Sequence, residues 1–393
     1  MTAITTADVV VIGLGAFGSA TLYQLAKRGV KAIGIDRFHP PHTLGSTHGE
    51  SRITRMAVGE GAAYAPLVIR SHEIWRELER EGGGDLFSQV GGLILSGRES
   101  TTRHHGRDDF VSSSIAVAER FAIRHEVLNA AEIGHRFPQF GLRGDERGYY
   151  EPEAGWVSPE QTVATQLRLA ERRGARLRLG ETVLECRQNG ESVRVVTDKG
   201  VVEAGRCVMT AGAWMPGLVP PLRPLARVQR QALHWYAPAN PADYGGDRFP
   251  IFIWIHGPSE ADSFYGFPAS AQDGGVKVAT ETYARDDDPD TVDREVAAED
   301  SRSMYEAHVK GRLLGVTPRL LRAASCLYTV MPRAHFFADT LPGEDRILAV
   351  SACSGHGFKH SAGMGEALAQ RVLGEAGLDL SPFGLDSFAS AAG

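Results

Sequence analysis

Between Ser351 and Gly365 the chain reads SACSGHGFKHSAGMG, which sets His356, Lys359 and His360 among glycines and serines just before a helical pattern, GMGEALAQRVL. A helix N-terminus carries unbonded N–H groups and a partial positive charge, and glycines let another group come close to the backbone. The combination suits an anionic or electron-accepting ligand. A surface turn capped by Ser361 would use the same residues without any chemistry. At the other end, Gly13, Gly15 and Gly18 have the GxGxxG spacing, and Asp36 follows 18 residues after Gly18. In a dinucleotide cradle the first glycine makes the turn, the second lets a pyrophosphate touch backbone and the third packs helix on strand. The acid accepts hydrogen bonds from a ribose. The cradle itself does not distinguish NAD from FAD.

These residues need particular elements around them. Val9 to Ile12 is a short β-branched run of the kind that forms a buried parallel strand; the helix SATLYQLAKRG stops at Gly29, and KAIGID is a second strand ending in Asp36. Residues 45–61 are polar and glycine-punctuated, with His48, Arg52 and Arg55, too long for a tight turn. A helix follows, with Leu67, Ile74, Trp75 and Leu78 near one face. GGLILSG is strand-like, SPEQTVATQLRLAERRGARLRLG reads as a capped helix and a strand, and residues 192–212 read as a hairpin turning at Asp198 to Gly200. ALHWYAP, FPIFIWIHG and SFYGFPAS are aromatic strands fit to wall a pocket, whereas RDDDPDTVDREVAAEDS is expected to be a solvated loop and helix start. The expected fold is α/β: a discontinuous dinucleotide domain (1–85, 150–221 and 324–393) interrupted by a substrate domain (86–149 and 222–323).

Composition removes several classes. The 393 residues carry a net charge of -6, so nucleic acid and anionic membrane are not expected partners. Cys186, Cys207, Cys326 and Cys353 form no CxxC pair, which argues against a disulfide scaffold or a metal site and fits a reducing cytoplasm. No stretch reaches the roughly 20 apolar residues of a membrane span.

Taken together, GLGAFGSATLYQLAKRGVKAIGIDRFHPPHTLGSTHGESRITR, GEGAAYAPLVIRSHEIW, TAGAW, FYGFP, CLYT and SGHGFK resemble the monomeric sarcosine oxidase and N-methyltryptophan oxidase family of flavoenzymes, in order along nearly the whole chain. The resemblance implies FAD rather than NAD, a glutathione-reductase-like FAD domain, and a substrate domain with a mostly antiparallel sheet. It implies flavin contacts at Arg37, Ser46, Gly355, Gly357, Phe358 and Lys359 beside the cradle residues, and a covalent link from the flavin 8α carbon to Cys326. Without the resemblance Cys326, following an apolar helix, reads as a small core residue. The link needs a thiolate, so a positive field from His48, Arg52 or the final helix is expected to lower the thiol pKa. Cys353 matches no anchor and reads as packing.

The resemblance further implies that SGHGFK faces the flavin's pyrimidine edge, where negative charge collects on reduction. Arg55 and Lys359 match the clamp on a substrate carboxylate, and two cations in one cleft call for a bound anion. Arg52 and His48 match residues at the flavin's reactive centre, Lys277 matches the oxygen-activating lysine, and Tyr328 and Tyr265 match pocket tyrosines. Three departures bear on the substrate: Glu281 stands where the family usually has histidine, Phe264 replaces a tyrosine and Thr47 a histidine. A carboxylate at Glu281 could pair with a cationic substituent or shift the protonation of a bound amine.

The expected activity is oxidative demethylation of a small N-methyl amino acid to formaldehyde, a primary amino acid and hydrogen peroxide, by a monomer. Alternatives are oxidation of a cyclic imino acid of the pipecolate type or of another, basic, amino acid, and a non-catalytic flavin-binding regulator.

Overall fold

The computed structural model describes residues 4–97, 109–283 and 286–389. Its first sheet is centred on the strand Ile4–Ile12, whose Val9 to Ile12 are all buried, as expected of β-branched residues with sheet on both sides. Gly200–Met209 and Ala32–Asp36 flank it in parallel, and the register sets Ile12 beside both Met209 and Ile35. All three strands therefore end at one edge, where ligands of open α/β sheets bind. Arg176–Leu179 extends this sheet beyond Ala32–Asp36, and Val183–Asn189 and Ser192–Thr197 form an antiparallel meander on the other side.

Helices Ala16–Lys27, Ala65–Gly82, Pro159–Arg172 and Ser361–Leu373 contribute buried residues to one continuous core. The small residues of SAGMG explain how the last of them fits. A Cβ on Gly365 would stand 2.4 Å from the Ala20 Cβ, and one on Gly363 would stand 2.2 Å from the Leu67 carbonyl oxygen. Only glycine permits this helix to approach both Ala16–Lys27 and Ala65–Gly82 so closely.

The second sheet runs in the order Val316–Val330, Arg227–Pro238, Val276–Ala279, Ser263–Ala269, Ile251–Ile255, Gly92–Ser96, Arg147–Glu151, Glu126–Asn129. Only the Ile251–Ile255 and Gly92–Ser96 pair is parallel, so the sheet is mostly antiparallel. One expectation fails here: the residues before Cys326 form a strand, not an apolar helix, and that strand continues past residue 324 to Val330. Its pairing with Arg227–Pro238, from Arg227 opposite Val330 to Pro238 opposite Val316, supplies backbone partners that a local reading of the run cannot see. A short third sheet, Arg52–Thr54, Gly155–Val157 and Phe87–Ser88, anchors the polar segment that carries Arg52 and Arg55. Among the described residues no helix is long and apolar enough to cross a membrane, and no cluster of His, Cys, Asp or Glu could hold a metal ion.

Candidate active site

The glycine turn at the end of Ile4–Ile12 is packed in two directions and open in a third. Gly13 has φ of 84°, and a Cβ on it would lie 2.7 Å from the Ala211 Cα. A Cβ on Gly18 would lie 1.8 Å from the Gly13 carbonyl oxygen, so the third glycine is what lets helix Ala16–Lys27 rest on the strand. A Cβ on Gly15 would meet only Thr47 Oγ1, at 3.5 Å, because Gly15 faces a cavity of about 290 Å³. The cavity is lined from Gly13, Gly15, Asp36 and Arg37 at one end of the sequence, through Ser46, Thr47 and Arg52, to Gly355, Gly357 and Phe358 at the other. Asp36 accepts hydrogen bonds from Leu14 N at 2.7 Å and Phe38 N at 2.8 Å, and burial raises its pKa against those bonds.

From Asp286 on, the acidic run is the solvated loop and helix start that was expected, its carboxylates mostly exposed and the helix Ala298–Met304 beginning at its end, and it also ties down this cavity's rim; Arg285 lies outside the described residues. Asp290 accepts from Arg37 Nη1 at 2.6 Å and from Trp214 Nε1 at 2.9 Å, and Arg294 Nη2 donates to the Leu44 carbonyl at 2.9 Å. SGHGFK is not a surface turn. Ser354, His356, Lys359, His360 and Ser361 are all buried, and Gly355 takes φ of 80°. A Cβ on Gly357 would stand 1.9 Å from the Ala352 carbonyl oxygen.

Arg52, Tyr328, Gly355 and Phe358 also wall a second, smaller chamber of about 70 Å³. Its other walls include Arg55, Glu60, Tyr265, Glu281 and Lys359. Here the sequence reading missed a residue. Arg55 Nη2 lies 3.2 Å from Glu60 Oε2, and Lys359 Nζ lies 3.0 Å from Glu60 Oε1, all three side chains being buried. The two cations thus already have an anion between them, and it belongs to the protein. The signal was available in GEG, five residues after Arg55, but nothing local ties Glu60 to Lys359. Burial pushes Lys359 down to about 8, with Arg55 adding to the effect and Glu60 opposing it. Arg55 Nε makes no hydrogen bond among the described residues, so the guanidinium keeps a donor in reserve.

Behind Arg52 lies a second cationic group. Lys277 Nζ donates to the carbonyls of Gly49 at 2.6 Å and Ser51 at 2.8 Å and sits 4.5 Å over the Phe267 ring. Burial, reinforced by Arg52, holds its pKa well below that of an ordinary lysine. Arg52 donates to the carbonyls of Ser46 at 2.7 Å and Ser51 at 2.9 Å. Cys326 is buried in a small cluster with Leu233, Ala279 and Tyr328. Tyr328 shares its strand face and lines both cavities, whereas Cys353 rather than Cys326 is among the residues lining the larger one. Burial raises the Cys326 thiol pKa, and Arg52 and Lys277 pull it down. His48 cannot share that task as expected: burial and the same two cations lower it to about 3, leaving a neutral ring at physiological pH. The Tyr265 and Tyr328 hydroxyls lie 3.4 Å apart, and burial keeps both phenols protonated.

The cradle, the open face at Gly15 and the acid at the strand end fit an adenine dinucleotide, and the larger cavity reaches from them to the chamber that holds the cations. Replacing Gly18 with alanine should push the helix off its strand. The purified variant is expected to carry less than about a tenth of the wild-type flavin by absorbance, because a backbone overlap has no cheap relief.

Comparison with known proteins points to FAD as the dinucleotide. The chain is 36% identical over 383 residues to the monomeric sarcosine oxidase of Streptomyces avermitilis, covering 97% of this chain and 96% of that one. It is 29% identical to the N-methyl-L-tryptophan oxidase of Salmonella heidelberg, covering 97% and 99%. Among solved structures it resembles the open form of NikD, an unusual amino acid oxidase essential for nikkomycin biosynthesis, with a TM-score of 0.80 at 25% identity, covering 97% of each chain. Residues 8–371 match the model of the FAD dependent oxidoreductase family, and the chain belongs to that family.

Proposed function

We propose that this enzyme oxidises the secondary amine of a small N-methyl amino acid at an FAD held covalently by Cys326, with oxygen as the final acceptor. The observation that carries the reading is the Arg55, Glu60 and Lys359 cluster in a chamber sharing Arg52, Tyr328, Gly355 and Phe358 with the flavin cavity. FAD supplies the hydride acceptor and passes the electrons on to oxygen. The protein's residues do the rest. Arg55 and Lys359 take the substrate carboxylate, Arg55 through its reserve donor and Lys359 by exchanging part of its contact with Glu60. That grip sets the N-methyl carbon against the wall made by Tyr328 and Gly355. A volume of about 70 Å³ suits a substrate of sarcosine size better than one bearing an indole.

At the larger cavity, Gly13, Gly15, Gly18, Asp36, Arg37 and Ser46 hold the nucleotide, and Gly355, Gly357, Phe358 and Lys359 hold the far end of the ring. Arg52, which stays charged, and neutral His48 bound the reactive face, and Lys277 holds a positive charge for oxygen. Four free cysteines fit a protein of the reducing cytoplasm, working as a monomer.

The test is anaerobic bleaching of the flavin by a panel of N-methylated, cyclic and basic amino acids, followed by peroxide measurement on admitting air. Bleaching by sarcosine, and peroxide in one-to-one yield, are the expected results. Bleaching only by a cyclic imino acid would move the substrate to the pipecolate type. No bleaching by any amino acid would leave a flavin-binding regulator.

A further inference from the structure

Building on that reading, we infer that Glu281 pairs with the ammonium group of the incoming zwitterion and takes its proton. The carboxylate belongs to the chamber wall. A Cβ on Gly355 would stand 3.1 Å from Glu281 Oε1 and 3.0 Å from Tyr328 Cε2. Gly355 and Tyr328 are also walls of the flavin cavity, so Glu281 sits at the junction of the two spaces. The chamber is therefore polarised: Arg55 and Lys359, with only Glu60 between them, leave one side net positive, and Glu281 supplies a carboxylate where the reacting end of the substrate must meet the ring. A small amino acid zwitterion has the complementary polarity, its charges separated by one carbon.

The chemistry needs such a group. An alkylammonium titrates near pH ~10, so only on the order of one molecule in a thousand arrives as free base at pH 7. Transfer to Glu281 breaks an N–H bond and forms an O–H bond, leaving the electron pair on nitrogen with no change in oxidation state. That lone pair is what permits hydride loss from the neighbouring methyl carbon. Tyr283 OH donates to Glu281 Oε2 at 2.8 Å; the residue as a whole is 43% exposed while its hydroxyl is turned inward, 3.3 Å from where a Cβ on Gly355 would stand, so Tyr283 connects Glu281 to the surface.

The groups whose charge Glu281 influences are Tyr283 beside it, Tyr265 and Tyr328 on neighbouring strands, and Lys359 on the turn below. Burial keeps the three phenols neutral. Lys359, at about 8, is the one of these that titrates near neutrality, and because Glu281 favours its charged form, Glu281→Gln moves that titration to lower pH; the resulting loss of grip on the carboxylate would make the variant's deficit grow with pH, the opposite of the trend expected below.

The experiment is stopped-flow anaerobic flavin reduction by sarcosine in wild type and Glu281→Gln, giving the limiting rate divided by the dissociation constant between pH 6.5 and 9.5. With Glu281 as acceptor the variant depends on free-base substrate. Its deficit is expected to be at least about 100-fold at pH 7 and to shrink tenfold per pH unit. A constant ratio of the two proteins across the range overturns the proposal. A binding measurement on the oxidised enzyme reads the same contact without turnover, using trimethylglycine and its uncharged isostere 3,3-dimethylbutanoate. Wild type is expected to prefer the cation at least tenfold and the variant to lose that preference; absence of the preference in wild type also overturns the assignment. Failure of sarcosine to reduce wild type would instead count against the substrate reading above, and the binding pair would still decide the role of Glu281.

Discussion

Replacing Lys277 with methionine is expected to slow reoxidation of the reduced enzyme by oxygen at least about 100-fold while changing anaerobic reduction by less than about threefold. The first electron delivered to oxygen creates a negative charge in a space where water cannot screen it, and a fixed cation there is worth several kcal/mol. A 100-fold loss corresponds to about 2.7 kcal/mol of barrier. Lys277 suits the task because its ammonium is fixed by the Gly49 and Ser51 carbonyls instead of by a carboxylate, so its charge is not cancelled locally. Methionine fills much of the same space and removes the ammonium together with its hydrogen bonds to Gly49 and Ser51 and its contacts over the Phe267 and Trp235 rings. A pH signature accompanies it. With its pKa lowered by burial, Lys277 loses its proton below the usual lysine range, so oxygen reactivity should fall on the alkaline side in wild type, with a midpoint under 10.5, and be flat in the variant. Stopped-flow measurement of the two half-reactions checks both; equal slowing of reduction and reoxidation would remove Lys277 from the oxygen step.

The second large effect is all-or-none. Cys326→Ser is expected to release its flavin into the supernatant on acid precipitation, whereas wild type should leave a yellow pellet. The expected lowering of the thiol pKa is not met: burial outweighs Arg52 and Lys277 and leaves it above its ordinary value, although both cations favour the thiolate that attacks an electron-poor ring. Cys353 is the internal control, since it lines the flavin cavity. Cys353→Ser should keep a yellow pellet. The reverse pattern would move the attachment to Cys353.

Much of the molecule was legible because the relevant constraints are local. Gly13, Gly15 and Gly18 lie within one turn, and Asp36 lies one helix and one strand away, so spacing alone specifies the cradle. The hairpin at Asp198 to Gly200 and the aromatic strands were readable for the same reason: period and turn residues are properties of short windows. Distant partners were hidden. Glu60 gains its meaning from Lys359, 299 residues away. The strand Val316–Val330 exists because Arg227–Pro238 pairs with it along its length. His48 looked like a source of positive charge until burial and two neighbouring cations made it neutral. Asp290 and Arg294 belong to a solvated run as read, but their partners Arg37, Trp214 and Leu44 lie far away in sequence and could not be read from it.

The flavin cavity draws its walls from both extremes of the chain, Gly13 at one and Phe358 at the other. During synthesis on the ribosome the first half of the cradle emerges long before the turn that completes it. A nascent chain therefore has no closed receptacle for its prosthetic group until the helix Ser361–Leu373 has emerged and docked on Ala20 and Leu67. Cofactor uptake is bound to be a late, post-translational event, and cells short of riboflavin should accumulate a folded but colourless precursor that turns yellow when FAD is added.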